Sequence, residues 1–269
     1  MTFIVKVPMI NGLGKTEGCE RAGNKILNCL KEEIYSNEQG NIIDDSLLDL
    51  EEIHLDNSNL ELSNKLIYEN SLEIFETKPK VIFLGGDHSI SYSIGRAFLD
   101  YCRISHKEPC LIVFDSHADC MPPIKEPTHE EWLRALMERG FPKENILIVG
   151  LRNVWKDEII FLKENKIKTL SISNLVNDLQ DMCDTIMEFS NGKELYVSVD
   201  IDFIDPAFAP ATGYPEPGGL SSRQFIYLIQ RIKKIKTLRA VDIVEINPEK
   251  DKTFNMTVKL GAKILAELI

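Results

Sequence analysis

Long apolar runs are missing from this chain. No stretch approaches the ~20 consecutive apolar residues that a membrane-spanning helix needs, and Met1-Thr-Phe-Ile-Val-Lys lacks the layout of a secretory leader. An excess of basic charge is missing too. Lys and Arg number 31 against 42 Asp and Glu, leaving a formal net charge of −11. That balance argues against a nucleic-acid partner and is compatible with a cationic small substrate. Cys19, Cys29, Cys102, Cys110, Cys120 and Cys183 form no CxxC pair, so free thiols in a cytoplasmic protein are expected. Linkers, low-complexity tracts and short-period repeats are absent as well. What remains is a soluble globular composition, 43% hydrophobic and 27% charged, in a chain of 269 residues. One α/β domain spanning 1–269 can bury a large core at that length.

Strand and helix patterns alternate along the chain. Phe3-Ile-Val-Lys-Val begins as a strand, and Ile26, Leu27, Leu30 and Ile34 fall on one helix face. Glu51-Glu-Ile-His54-Leu is a short edge strand, with His54 read as surface or structural; Asn59 to Glu76 has helical spacing. Strands are then expected at 81–84, 111–114, 146–150, 168–172, 194–199 and 238–244. Helices are expected from Ser89, a plausible N-cap, to about Tyr101, then at 130–140, 155–165, 173–190, 221–236 and 252–268. Such alternation means a mostly parallel sheet with helices on both faces. Roughly eight strands can also close into a barrel, and functional clusters at non-adjacent strand ends fit either arrangement.

Chemistry gathers at three of these strand ends. Leu111-Ile-Val-Phe runs straight into Asp115-Ser-His117-Ala-Asp119-Cys120. In an extended segment residues i, i+2 and i+4 point the same way, so Asp115, His117 and Asp119 would share one side. Their combined charge calls for a divalent cation, and imidazole with carboxylates suits Mn²⁺, Fe²⁺, Co²⁺ or Zn²⁺ better than Ca²⁺ or Mg²⁺. A polar loop with a chance Asp-x-His-x-Asp would account for this stretch alone. Two further stretches shift the balance. Glu194-Leu-Tyr-Val-Ser198-Val leads into Asp200-Ile-Asp202, and Val81-Ile-Phe-Leu leads into Gly85-Gly86-Asp87-His88-Ser89. Two imidazoles and four carboxylates are too many for one ion and about right for two. Cys120 abuts the group and reads as a passive core neighbour.

Gly-Gly-Asp-His88-Ser, Asp115-Ser-His117-Ala-Asp119 and Ser198-Val-Asp200-Ile-Asp202-Phe-Ile-Asp205-Pro resemble the three metal signatures of the ureohydrolases, the arginase/agmatinase family. The likeness continues through Ala211 to Arg223 and Asp242-Ile-Val-Glu245-Ile-Asn-Pro248, and more weakly near Gly14 to Glu20. The resemblance implies a three-layer α/β/α fold with an open, mostly parallel sheet. It implies two Mn²⁺ ions per subunit: one held by His88, Asp115, Asp119 and Asp200, the other by His117, Asp115, Asp200 and Asp202, with Asp115 and Asp200 bridging. It also implies a homo-oligomer, a trimer or hexamer.

A guanidinium carbon is a poor electrophile because its charge is delocalised. Two cations sharing one water can lower that water's pKa enough to supply a nucleophile at neutral pH. Asp119 would carry the proton to the leaving amine. Glu245 is the carboxylate expected to grip the guanidinium planarly. By resemblance His129 is the proton shuttle at the substrate entrance, and imidazole titrates near neutrality. The short loop from Asp119 to His129 and Phe203-Ile-Asp205-Pro-Ala-Phe-Ala-Pro210 are closer to the agmatinase pattern, so agmatine, cleaved to putrescine and urea, is the first substrate. Arginine or another guanidino or formimidoyl compound stands behind it. Two departures stand out: Ser116 replaces the usual alanine, and Glu130 and Glu131 replace a small residue. That acidic pair could recruit a far ammonium, or could serve as first-turn acids favoured by the helix dipole. Rivals from other classes are a calcineurin-like metallophosphoesterase, whose downstream Gly-Asn-His segment is missing, and a catalytically silent relative, disfavoured because all six ligand positions are filled.

Overall fold

The structure, a computed structural model, describes residues 2–12, 14–44, 46, 48–252 and 254–269, and Thr2 by its backbone alone. Eight strands are present among the described residues: β1 (Thr2–Val7), β2 (Leu48–Glu52), β3 (Val81–Gly85), β4 (Pro109–Phe114), β5 (Ile146–Leu151), β6 (Lys168–Ser171), β7 (Glu194–Asp200) and β8 (Leu238–Val244). They form one sheet in the order β2-β1-β3-β8-β7-β4-β5-β6, with every neighbouring pair parallel. The outermost strands β2 and β6 have one neighbour each, so the sheet is open and no barrel forms.

The central strands β3, β4 and β7 are buried at every position, as parallel strands covered on both faces must be. Their residues alternate between two apolar clusters. Ile82, Leu84, Cys110, Ile112 and Phe114 join one; Val81, Phe83, Leu111 and Val113 join the other. The first cluster packs against α1 (Ala22–Glu33), α6 (Ile172–Asn177), α7 (Leu179–Phe189), α8 (Ser222–Ile232) and α9 (Met256–Leu268). The second packs against α2 (Leu60–Thr77), α3 (Ile90–Ile104), α4 (Trp132–Glu138) and α5 (Lys156–Glu164). The result is the α/β/α sandwich that the resemblance implies. Among the described residues no helix is long and apolar enough to cross a membrane.

Several helix boundaries differ from those read in the sequence. The single helix expected over 173–190 is broken at Asp178, whose carboxylate accepts the Asp181 N–H (2.9 Å) and starts α7 afresh. The helix expected at 252 begins at Met256, after Asn255 in the left-handed region at φ 51°; Thr253 lies outside the described residues. Ser89 precedes α3 without capping it by its own side chain. Asp87 Oδ1 instead accepts both the Ser89 N–H (3.2 Å) and its hydroxyl (2.5 Å).

The strand ends that carry chemistry prove to be neighbours. β3, β8, β7 and β4 lie side by side, so the turns after them bring His88, Glu245, Asp200 and Asp115 to one edge of the sheet. Register keeps them level: Leu84 pairs with Ile243, Val244 with Asp200, and Val199 with Phe114. The carboxyl edge of a parallel sheet is where such groups are expected to meet.

Candidate metal centre

The same local turn follows three of these strands. Asp87 Oδ1 accepts the N–H of Ser89, Asp115 Oδ1 that of His117 (2.6 Å), and Asp200 Oδ1 that of Asp202 (2.8 Å). An aspartate that bonds the amide two residues on bends the chain and pins its own carboxylate. Extended alternation is therefore not what gathers these side chains. Asp202 sits in a single 3₁₀ turn, Ile201–Phe203, and Asp119 lies in the left-handed region at φ 50°. Strain of that kind in a non-glycine residue survives only where its surroundings impose it.

The six side chains nonetheless converge. His88 Nδ1 lies 3.1 Å from Asp115 Oδ2, 3.0 Å from Asp119 Oδ2 and 3.2 Å from Asp200 Oδ2. His117 Nδ1 lies 2.9 Å from Asp202 Oδ2 and 3.6 Å from Asp115 Oδ1. Donor atoms of His88, Asp115 and Asp200 lie within 4.8 Å of one another, and so do those of Asp115, His117 and Asp202. Asp115 is common to both groups. Asp200 enters only the first, and Asp119 adjoins it through His88.

These residues fit a pair of cations. His88 Nδ1 and Asp115 Oδ2 are buried and have no hydrogen-bond partner among the described residues, an arrangement that costs free energy unless something else satisfies them. The other face of His88 is settled. Its Nε2 is 2.9 Å from Ser198 Oγ, whose hydroxyl donates to Asp242 Oδ1 (2.7 Å). Ser198 must then accept from Nε2–H, which leaves the Nδ1 lone pair facing the carboxylates. Asp242 is itself held by Ser91 Oγ (2.7 Å), the Tyr196 hydroxyl and the Val199 N–H (3.2 Å).

Electrostatics carry the same message. Burial, then the Asp115 charge, pushes the Asp119 carboxyl up to about 7. Burial and neighbouring acids likewise raise Asp200 and Glu245 well above the usual carboxylate range. Burial opposes charge on the imidazoles, yet the carboxylates they face overcome it and raise both His88 and His117. Those imidazoles in turn outweigh burial at Asp115 and hold it low. The cluster has more acids than two imidazoles can offset, so several retain their protons in the fold, and divalent cations would take the place of those protons.

A cavity of about 300 Å³ opens on His117 and Asp119 and is walled by Met121, His129, Glu130, Trp155 and Tyr214. His129 is buried, and both its ring nitrogens lack a hydrogen-bond partner among the described residues. Its ring lies 5.2 Å from that of Tyr214. Glu245 (φ 64°) sits beside His88, with Oε1 accepting the His88 N–H (3.0 Å) and Oε2 buried without a partner among the described residues. One of the two oxygens expected to grip a substrate is thus already engaged. Glu130 and Glu131 part company. Glu130 faces the cavity, 3.8 Å from His129 Nε2. Glu131 is buried, and its Oε2 accepts the Thr128 N–H (2.7 Å) and hydroxyl (2.5 Å). Neither lies within α4: Glu131 occupies its N-cap position and Glu130 precedes it.

Sequence reasoning missed Trp132. Its Nε1–H donates to Asp119 Oδ2 (2.7 Å), and its ring lies 4.6 Å from that of His88. The available signal was a tryptophan three residues after His129 in a chain with two. Also missed were Asp87, which ties the 11–16 loop to the site by accepting the Asn11 N–H (2.6 Å) and Thr16 hydroxyl (2.8 Å), and Tyr214. Cys120 is the buried neighbour expected, its N–H donating to Glu158 Oε1 (2.8 Å). His54 is exposed, as expected.

Comparison with known proteins bears on this geometry. A family model described as the arginase family matches residues 2–269. Hepatic arginase of Aquarana catesbeiana is 32% identical over 193 residues, covering 63% of this chain and 58% of that protein. The N(1)-aminopropylagmatine ureohydrolase of Thermus thermophilus is 30% identical over 190 residues, covering 70% and 62%. The chain thus spans less than two thirds of the length of these relatives. Among solved structures, formimidoylglutamase from Bacillus subtilis superposes with a TM-score of 0.88 at 22% identity, covering 100% of this chain and 86% of that one. The agmatine ureohydrolase of Thermoplasma volcanium gives 0.84 at 24%, covering 99% and 88%. At such identities the superpositions show a shared fold.

Proposed function

The chain belongs to the arginase family, and from that premise we propose that it hydrolyses a C–N bond of a small cationic guanidino substrate, agmatine first, to urea and putrescine. The observation that carries this reading is the pair of ligand groups sharing Asp115 beside a cavity. Glu130 on the cavity wall favours a substrate with an ammonium at its far end, and one relative is named for an aminopropyl derivative of agmatine. The arginase relatives keep arginine in the panel.

His88, Asp115, Asp119 and Asp200 would hold one divalent ion, and His117, Asp115, Asp200 and Asp202 the second. We assign Mn²⁺ to both places, since nitrogen and oxygen donors suit a first-row metal. When bound, such a pair supplies the positive charge that makes a water nucleophilic at neutral pH. The protein's own groups do the rest. Asp119, held by Trp132 Nε1–H, takes the proton from that water and delivers it to the departing nitrogen. His129, with both nitrogens free, passes protons between the cavity and solvent. Glu245 offers Oε2 to a guanidinium N–H. The six free cysteines support a cytoplasmic setting, and a trimer or hexamer belongs to the same proposal.

Urea release from agmatine and arginine, and formamide release from formimidoyl compounds, each with Mn²⁺ added, test this function. Turnover of agmatine above the rest supports it. Two bound ions with no turnover on any substrate would favour a silent protein.

A further inference from the structure

We propose that Ser116 is a positioning residue that sets the strength of the second ion's place, the one formed by Asp115, His117 and Asp202. The inference rests on the two-ion reading above. Ser116 is fully buried between β4 and its Asp-x-His turn. Its hydroxyl donates to Asp202 Oδ1 (2.7 Å), and its backbone N–H donates to the same oxygen (3.1 Å). The hydroxyl oxygen also lies 3.0 Å from His117 Nδ1. One side chain therefore touches two of the three groups that gather there.

Asp202 has two carboxylate oxygens and the structure divides their work. Oδ1 is held by both donors of Ser116, while Oδ2 faces His117 Nδ1 at 2.9 Å. A carboxylate fixed by two donors on one oxygen cannot swing, so Oδ2 stays presented beside His117 and Asp115. The chain needs this support because Asp202 stands outside β7 on a single 3₁₀ turn, anchored from its own side by its N–H to Asp200 Oδ1 (2.8 Å). The His88 group depends on a different support, Ser198 with Asp242, which Ser116 does not touch. Losing a group that orients a metal-binding side chain typically weakens metal affinity ~10–100-fold, and here the loss should fall on one ion of the pair.

S116A tests this, since it removes the hydroxyl and keeps the N–H bond to Asp202. Calorimetric titration of the metal-free full chain with Mn²⁺ should show two equivalents in the unaltered protein. In S116A one equivalent should hold within about twofold and the other should lose about tenfold. With Co²⁺ as the probe, the visible bands of one equivalent should shift while those of the other stay put. Both equivalents unchanged in S116A, or both weakened alike, overturns the role given to Ser116 alone. Fewer than two equivalents in the unaltered protein overturns the two-ion reading itself, and this inference with it.

Discussion

Stripped of metal by chelation, the protein should lose stability as pH rises from about 4 to about 7, and Asp119 should account for a measurable share. Its carboxyl titrates at 3.8 when unperturbed and is pushed up to about 7 in the fold. Below pH 4 both folded and unfolded states hold its proton. Between 4 and 7 only the folded state does, and above 7 neither does. Stability present at the acid end is therefore lost as pH climbs through that window. A shift of three units amounts to ~4 kcal/mol at 1.36 kcal/mol each, or ~8 °C in Tm for a chain of this size. Raised values at Asp200 and Glu245 act in the same direction, and those at His88 and His117 carry the loss on above pH 6.5. Thermal unfolding of the chelated protein across this range reads the slope, and D119N isolates the contribution, since an amide oxygen can still accept from Trp132. The variant should give a flatter profile. Saturation with a divalent cation should reverse the trend, because binding displaces those protons and strengthens with pH. Parallel profiles for D119N and the unaltered chain, or chelated stability that rises with pH, would refute the electrostatic reasoning.

H129A should keep both ions and slow turnover about a hundredfold, the lower end of a general acid–base contribution; loss of ions by elemental analysis would show that the residue supports the cluster instead. E130Q should raise KM for agmatine up to about fivefold with kcat within about twofold, the scale of a partly exposed ion pair; an unchanged KM would remove Glu130 from recognition. G86A should lower stability by ~3 kcal/mol, the upper end of overpacking costs, because a Cβ there would come within 1.8 Å of the Met9 carbonyl oxygen. Thermal unfolding checks that figure, and near-normal Tm would contradict the packing.

The sheet and the acids and imidazoles that gather at its edge were legible because each central strand is a short apolar run that ends abruptly in acid and imidazole. What could not be read was how those ends converge. Asp115 and Asp119 were expected on one side of an extended segment, whereas the chain bends at Asp115 and turns left-handed at Asp119. That conformation depends on Trp132 and on contacts distant in sequence, which periodicity does not report. Strand order was hidden for the same reason: β8 lies between β3 and β7, which brings Glu245 beside His88, its Oε1 on the His88 N–H. The break at Asp178 shows a smaller effect, a local side-chain bond defeating a continuous helical pattern. Ser116 and Glu131 stood out in the sequence as departures from a family pattern. Only their bonds to Asp202 and Thr128 say what they do.

The most direct test of the central claim is anomalous diffraction from crystals grown with Mn²⁺, read together with metal content per chain. Two peaks are expected, one among His88, Asp115, Asp119 and Asp200 and the other among His117, Asp115, Asp200 and Asp202. A single peak, or density away from Asp115, would contradict it.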